Sequence, residues 1–116
     1  MEVRGVRGAT TVTENKQEAI IAATQELLQE IIKKNQFEVD DIASIIFTVT
    51  SDLNAEFPAQ AARKLGWQDT PLLCSKEINV PGSLPGCIRI LLHINTDKTP
   101  QEIHHVYLKD AVNLRR

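Results

Sequence analysis

The chain has 116 residues, 42% of them hydrophobic, with five glycines and five prolines, which suits one compact domain, residues 1–116, with a modest core. Thirteen basic against 15 acidic residues give a net charge of −2, which excludes a nucleic-acid binder that works through a large positive field. No apolar run reaches the length of a membrane span and the opening MEVRGVRGATTV holds no signal-peptide core, so a cytoplasmic protein is expected, with both cysteines as free thiols.

Val3 to Val12 reads as a strand, since Thr10, Thr11 and Val12 favour extended backbone and no helical period appears. Within it RGVRGAT sets Arg4 and Arg7 beside glycines, which permit close approach of a ligand or another backbone; arginines on a solvated edge strand are the plainer reading. GVRGAT lacks the spacing of a nucleotide-binding fingerprint and does not open a helix. A long helix follows. Ile20, Thr24, Leu27, Leu28, Ile31 and Ile32 recur at helical spacing, Asn15 is placed to cap it with Glu18 as capping-box partner, and Asn35 suits its stop.

ASIIFTVTS is a short, β-branched apolar run and reads as a buried strand. FPAQAARKLGW reads as a short helix opened by Pro58 and closed by Gly66, with Phe57 as a hydrophobic staple or a ligand contact. PLLCSKEI and CIRILLHIN read as strands joined by NVPGSLPG, and a last strand lies near HHVYL. The sum is an α+β fold: a mixed β-sheet of about five strands with one long and one short helix. One long helix cannot cover both faces of such a sheet, so homo-oligomerisation is expected to cover the other.

In CIRILLHIN the period of two puts Ile88, Ile90, Leu92 and Ile94 on one face and Cys87, Arg89, Leu91 and His93 on the other. Arg89 is then a cation opposite a wholly apolar face. It is either half of a structural ion pair, with Glu77 for example, or an arginine held ready for an anion. Cys74 and Glu77 lie three apart, so a regular strand points them to opposite faces unless a bulge re-aims one. Cys74, Cys87, His93, His104 and His105 lack metal-ligand spacing, so no metal is expected, and Cys74 has no patterned histidine partner for nucleophilic work. Tyr107 either caps the core with its ring or offers its phenol to an anion at the sheet edge.

RGVRGATTV, DLNAEFPAQAAR, the CSKEI and CIRI pair and the closing HHVYLKDAVNLR, taken in order over essentially the whole chain, resemble a monofunctional chorismate mutase of the AroH class. The resemblance implies an isomerase of aromatic amino acid biosynthesis, on the shikimate pathway, that turns chorismate into prephenate by a Claisen rearrangement without metal or cofactor. It implies a barrel-like homotrimer with active sites between adjacent subunits. By motif match, Arg7, Cys74, Glu77, Arg89 and Tyr107 fall on the principal site positions, and Phe57, Arg63, Leu73, Leu114 and Arg115 on the surrounding wall and mouth. Arg89 would face the breaking ether oxygen, Arg7 and Tyr107 the side-chain carboxylate, and Glu77 and Cys74 the ring hydroxyl.

Two departures from the family pattern stand out. Gln60 occupies a place where a lysine is common, so a cation at the site mouth is expected to be absent; the chain also ends at Arg116, where a closing tail is expected to be shortened or missing. Two rivals share the expected architecture: a trimer that binds a small dianion without turnover, and an imine deaminase-like trimer. Retention of both Glu77 and Arg89 favours catalysis.

Overall fold

The computed structural model describes residues 1–114. Five strands, β1 (Glu2–Thr11), β2 (Ile42–Val49), β3 (Leu72–Lys76), β4 (Cys87–Thr96) and β5 (Val106–Tyr107), and two helices, α1 (Gln17–Asn35) and α2 (Ala59–Lys64), make up the fold. The sheet order is β3-β2-β4-β1-β5. β4 runs antiparallel to both β1 and β2, whereas the outer pairs β2·β3 and β1·β5 are parallel. This is the mixed α+β sheet expected from the sequence. The arginine-bearing β1 is an interior strand between β4 and β5, which corrects the edge-strand reading.

Both helices lie on one face of the sheet. Val6, Ile45, Phe47, Ile90, Leu92 and Ile94 from the strands form one buried cluster with Leu27, Leu28 and Ile31 of α1 and Ala59, Ala61 and Ala62 of α2. Ile88 joins a neighbouring cluster with Ile20, Ala23 and Leu53. The small residues of α2 let it sit close to the strands, and Gly8 does the same for α1: a Cβ there would lie 2.8 Å from Ile31 Cδ1 and 3.2 Å from Leu27 Cδ1.

The ends of α1 differ in detail from the sequence reading. Lys16 is the N-cap residue and makes no side-chain cap, and no Asn15–Glu18 box forms. Asn15 reaches away instead: its Oδ1 accepts from the N–H groups of Asn54 and Ala55 at 3.0 Å each, and its Nδ2 donates to Asn54 Oδ1 at 2.7 Å. Two otherwise open backbone donors in a distant loop outcompete the local cap. At the other end Gln36 is the residue in the left-handed conformation (φ 53°), one place after Asn35. Asn35 is fully buried; its Nδ2 donates to Ile31 O and His104 O, and its Oδ1 accepts from His104 N at 2.8 Å. Pro58 and Gly66 bracket α2 as expected, Gly66 with φ 88°.

Among the described residues no α-helix lies on the opposite face of the sheet. A 3₁₀ turn, Lys109–Asn113, covers only its β1–β5 side, where Ala111 packs with Ala9, Cys87, Leu84, Tyr107 and Leu114. Elsewhere Val3, Leu73 and Leu91 remain exposed at 56%, 62% and 37%, a spread of apolar groups that a second surface would bury. Replacing Gly8 with valine should force α1 off β1 and destabilise the fold by about 1–3 kcal/mol, measured by denaturant unfolding.

Candidate active site

The alternation of β4 decides which groups share the open face. Ile88, Ile90, Leu92 and Ile94 are all buried on the helix side, so Cys87, Arg89, Leu91 and His93 point the other way. Pairing extends that face across the sheet: Arg89 sits opposite Ala9 on one side and Thr48 on the other, Leu91 opposite Arg7 and Ile46, and Tyr107 opposite Ala9. β3 pairs Cys74 with Phe47 and Leu73 with Ile46, so Cys74 faces the helices and Leu73 the open side. No bulge intervenes. Glu77, one residue beyond β3, donates its backbone N–H to Val49 O at 2.9 Å and carries its side chain to the open face. The sequence parity rule that separated Cys74 from Glu77 therefore holds.

A cavity of about 260 Å³ on the open face is lined by Arg7, Ile46, Thr48, Glu77, Arg89 and Leu91. Arg89 Nε lies 3.6 Å from Glu77 Oε2, an ion pair too long to be a hydrogen bond; the two side chains are 35% and 23% exposed. The buried Nε has no hydrogen-bond partner among the described residues, and neither has the buried Tyr107 Oη. Thr48 Oγ1 donates to the same Glu77 Oε2. Arg7 projects an exposed side chain while its backbone N–H donates to His105 Nδ1 at 2.9 Å, which pins β1 to the segment entering β5. Arg4 is differently placed: its Nε donates to Lys98 O and its Nη2 pairs with Glu2, a structural role at the strand's start.

Cys87 lies wholly buried beside Ala9 and Ala111. Burial pushes its thiol pKa up, with the neighbouring Arg89 pulling the other way. This is a packing position, as read from the sequence.

The other expected groups gather elsewhere. Phe57, Pro58 and Cys74 line a groove of about 340 Å³ with Leu53, Val49 and Lys76. Burial raises the Cys74 thiol above its ordinary range, opposed by the Ala59 backbone N–H and the Arg63 charge, so near neutral pH it is a thiol. Phe57 is 65% exposed at the rim. Arg63 is exposed, and its Nη1 donates to Gln60 Oε1 at 2.9 Å. Leu73 lies exposed on the open face, and Leu114 packs partly buried near Tyr107. Arg115 falls outside the described residues. One chain thus brings Arg7, Glu77 and Arg89 together with Tyr107 one strand away, and keeps Cys74, Phe57 and Arg63 apart from them. Among the described residues no group of three or more His, Cys, Asp or Glu is placed to hold a metal ion, and no helix is long and apolar enough to cross a membrane.

Sequence reading missed Thr48, which resembles any strand-forming threonine, and Asp52. Asp52 Oδ2 accepts from Gly86 N at 2.9 Å and its Oδ1 from Thr50 Oγ1 at 2.5 Å, while Thr50 Oγ1 accepts from Cys87 N at 3.0 Å. This chain of bonds fixes the return of the loop from β3 into β4.

In this α+β protein the open sheet face thus carries a guanidinium whose Nε has no hydrogen-bond partner among the described residues, beside one carboxylate, an arrangement suited to a small anion. The sequence matches the chorismate mutase type I family over residues 3–116, and the chain belongs to that family. It is 50% identical to chorismate mutase AroH of Thermus thermophilus over 114 residues (97% of this chain, 93% of that protein). It is 43% identical to chorismate mutase AroH of Bacillus subtilis (strain 168) over 116 residues (99% and 91%). The solved chorismate mutase from Clostridium thermocellum superposes with a TM-score of 0.92 at 57% identity, covering 93% of this chain and 96% of that one.

The hydroxyl of Thr50 and the Gly86 N–H hold the Asp52 carboxyl below its ordinary range. A depressed folded-state pKa stabilises above the unfolded value and the contribution fades as pH falls through the folded one. Asp52→Asn should therefore lower the melting temperature at neutral pH, with the difference from wild type shrinking below about pH 4 in melts across a pH series.

Proposed function

We infer that the protein is a chorismate mutase, an isomerase that converts chorismate to prephenate by intramolecular rearrangement. Family membership over nearly the full chain supports the reaction. The observation that carries the site assignment is Arg89, whose Nε is left without a hydrogen-bond partner beside Glu77 on the open face.

The substrate is a dianion whose reactive form is a compact chair, with the enolpyruvyl group over the ring. A pocket that holds only that conformer removes part of the barrier before any bond changes. As the ether C–O bond breaks ahead of C–C formation, negative charge grows on the ether oxygen and positive charge on the ring. Arg89 faces that oxygen and binds it more strongly as charge develops, which lowers the barrier without raising ground-state affinity equally. Glu77 faces the electron-poor ring and takes the ring hydroxyl. Arg7 and the Tyr107 phenol hold the side-chain carboxylate. The chemistry needs no proton transfer and no covalent intermediate, in keeping with a Cys74 that burial keeps protonated.

The separation of the two groups of residues bears on assembly. Cys74 and Phe57 line a groove near the outer strand β3, with the Arg63 charge acting on Cys74, whereas Arg7, Glu77 and Arg89 line the open-face cavity. We propose a homotrimer in which the β3–α2 edge of one subunit closes over the open face of the next, so that each site is completed by two copies. The exposed Val3, Leu73 and Leu91 support it, since such an assembly removes them from water.

Two measurements test this reading. Purified protein should consume chorismate, followed by loss of its absorbance, and Arg89→Ala should lower kcat by roughly 10²-fold or more; a change confined to KM would contradict the role given to Arg89. Arg89→Ala and Arg63→Ala should each lower activity, and mixing the two after reversible dissociation should restore part of it, because some interfaces then carry both intact halves. A monomeric mass by light scattering, or no recovery on mixing, would exclude the shared site.

A further inference from the structure

The open-face cavity holds one polar side chain that neither the sequence reading nor the proposed chemistry uses. Thr48 lies in β2 directly opposite Arg89 in β4, so the two side chains stand side by side on the open face. Its hydroxyl donates to Glu77 Oε2, the same oxygen that lies 3.6 Å from Arg89 Nε. Glu77 is anchored at its backbone through Val49 O, one residue past the end of β3, so its side chain retains rotational freedom that the strand ladder does not remove. The Thr48 bond is what the described residues provide to fix it.

We propose that Thr48 is a positioning residue for the rearrangement: by holding Glu77 Oε2, it keeps that carboxylate from closing a direct ion pair with Arg89 and leaves the Arg89 donors aimed at substrate. This rests on the site assignment given above. A carboxylate and a guanidinium this close, half out of water, gain by contracting to hydrogen-bond distance. A fully formed pair would divert the Arg89 charge from the ether oxygen, and the loss would be felt as charge develops, not as substrate binds. A hydroxyl donor opposes the contraction because it occupies the shared oxygen in the direction of β2. Valine at the same position is nearly the same size and offers no donor.

The test is a set of steady-state measurements on the full chain with chorismate, using Thr48→Val, Thr48→Ser, Glu77→Gln and the double variant Thr48→Val/Glu77→Gln. Thr48→Val should lower kcat about tenfold or more with KM changed by less than about threefold, and Thr48→Ser should restore most of it. In the Glu77→Gln background Thr48→Val should add less than about twofold, since its effect passes through the carboxylate. If Thr48→Val does not fold, Thr48→Ala supplies the donor-free variant, with the melting temperature and mass of wild type as controls. Wild-type turnover in Thr48→Val, failure of serine to rescue, or effects that multiply in the double variant would each overturn the role of Thr48 while leaving the site assignment standing. Unchanged kcat in Glu77→Gln would overturn the site assignment and this proposal together.

Discussion

Burial of Ile88, Ile90, Leu92 and Ile94 beneath the helices constrains everything on the other side of the sheet. Each of these side chains contributes on the order of 1.5–3 kcal/mol when removed from water, and each is at most 3% exposed. A slip of β4 by one residue against either neighbour would turn all four outward. The register is therefore held by apolar burial, and Arg89 is carried to its place opposite Ala9 and Thr48 by groups that take no part in binding. Because β4 is the central strand, paired along both edges, the cation sits on the least deformable part of the sheet.

Around that cation the protein leaves polar valences open. Arg89 Nε and Tyr107 Oη are buried without partners among the described residues, a situation that costs stability unless something arrives to satisfy it. Glu77 stands close enough to reduce the cost of the arginine's burial and far enough to leave its Nε without a hydrogen bond. Stability is traded here for readiness. Arg4, on the same strand as Arg7, shows the contrast: its Nε donates to Lys98 O and its Nη2 to Glu2, so protein groups already engage it on two sides.

Much of this was legible in the residues. The alternation of CIRILLHIN separated the core face from the open one, because a period of two was not disturbed by tertiary structure; the three-residue spacing of Cys74 and Glu77 left a bulge possible, and the regular β2·β3 register puts them on opposite faces. Motif resemblance named candidate site positions, which periodicity alone left among several readings. What escaped was set by contacts distant in sequence. Asn15 carried a good local capping signal, yet its side chain is taken by a loop 39 and 40 residues away. Thr48 carried no signal at all, since a threonine that orients a carboxylate and one that merely favours a strand are spelled alike. β1 was open to an edge-strand reading because the strand expected near HHVYL carried no sign of its partner; it is the two-residue β5, paired with β1.

The brevity of β5 gives the buried Asn35 a wider reach than its place at a helix end suggests. Two ladder positions cannot hold a strand on their own. The Asn35 amide grips both backbone groups of His104, and Lys98 Nζ donates to Asn35 O, so the final turn of α1 and the segment leading to Tyr107 form one clasp. The end of α1 and the segment that leads into β5 are thereby tied to each other. The placement of Tyr107 thus leans on the last turn of a helix on the far face of the sheet.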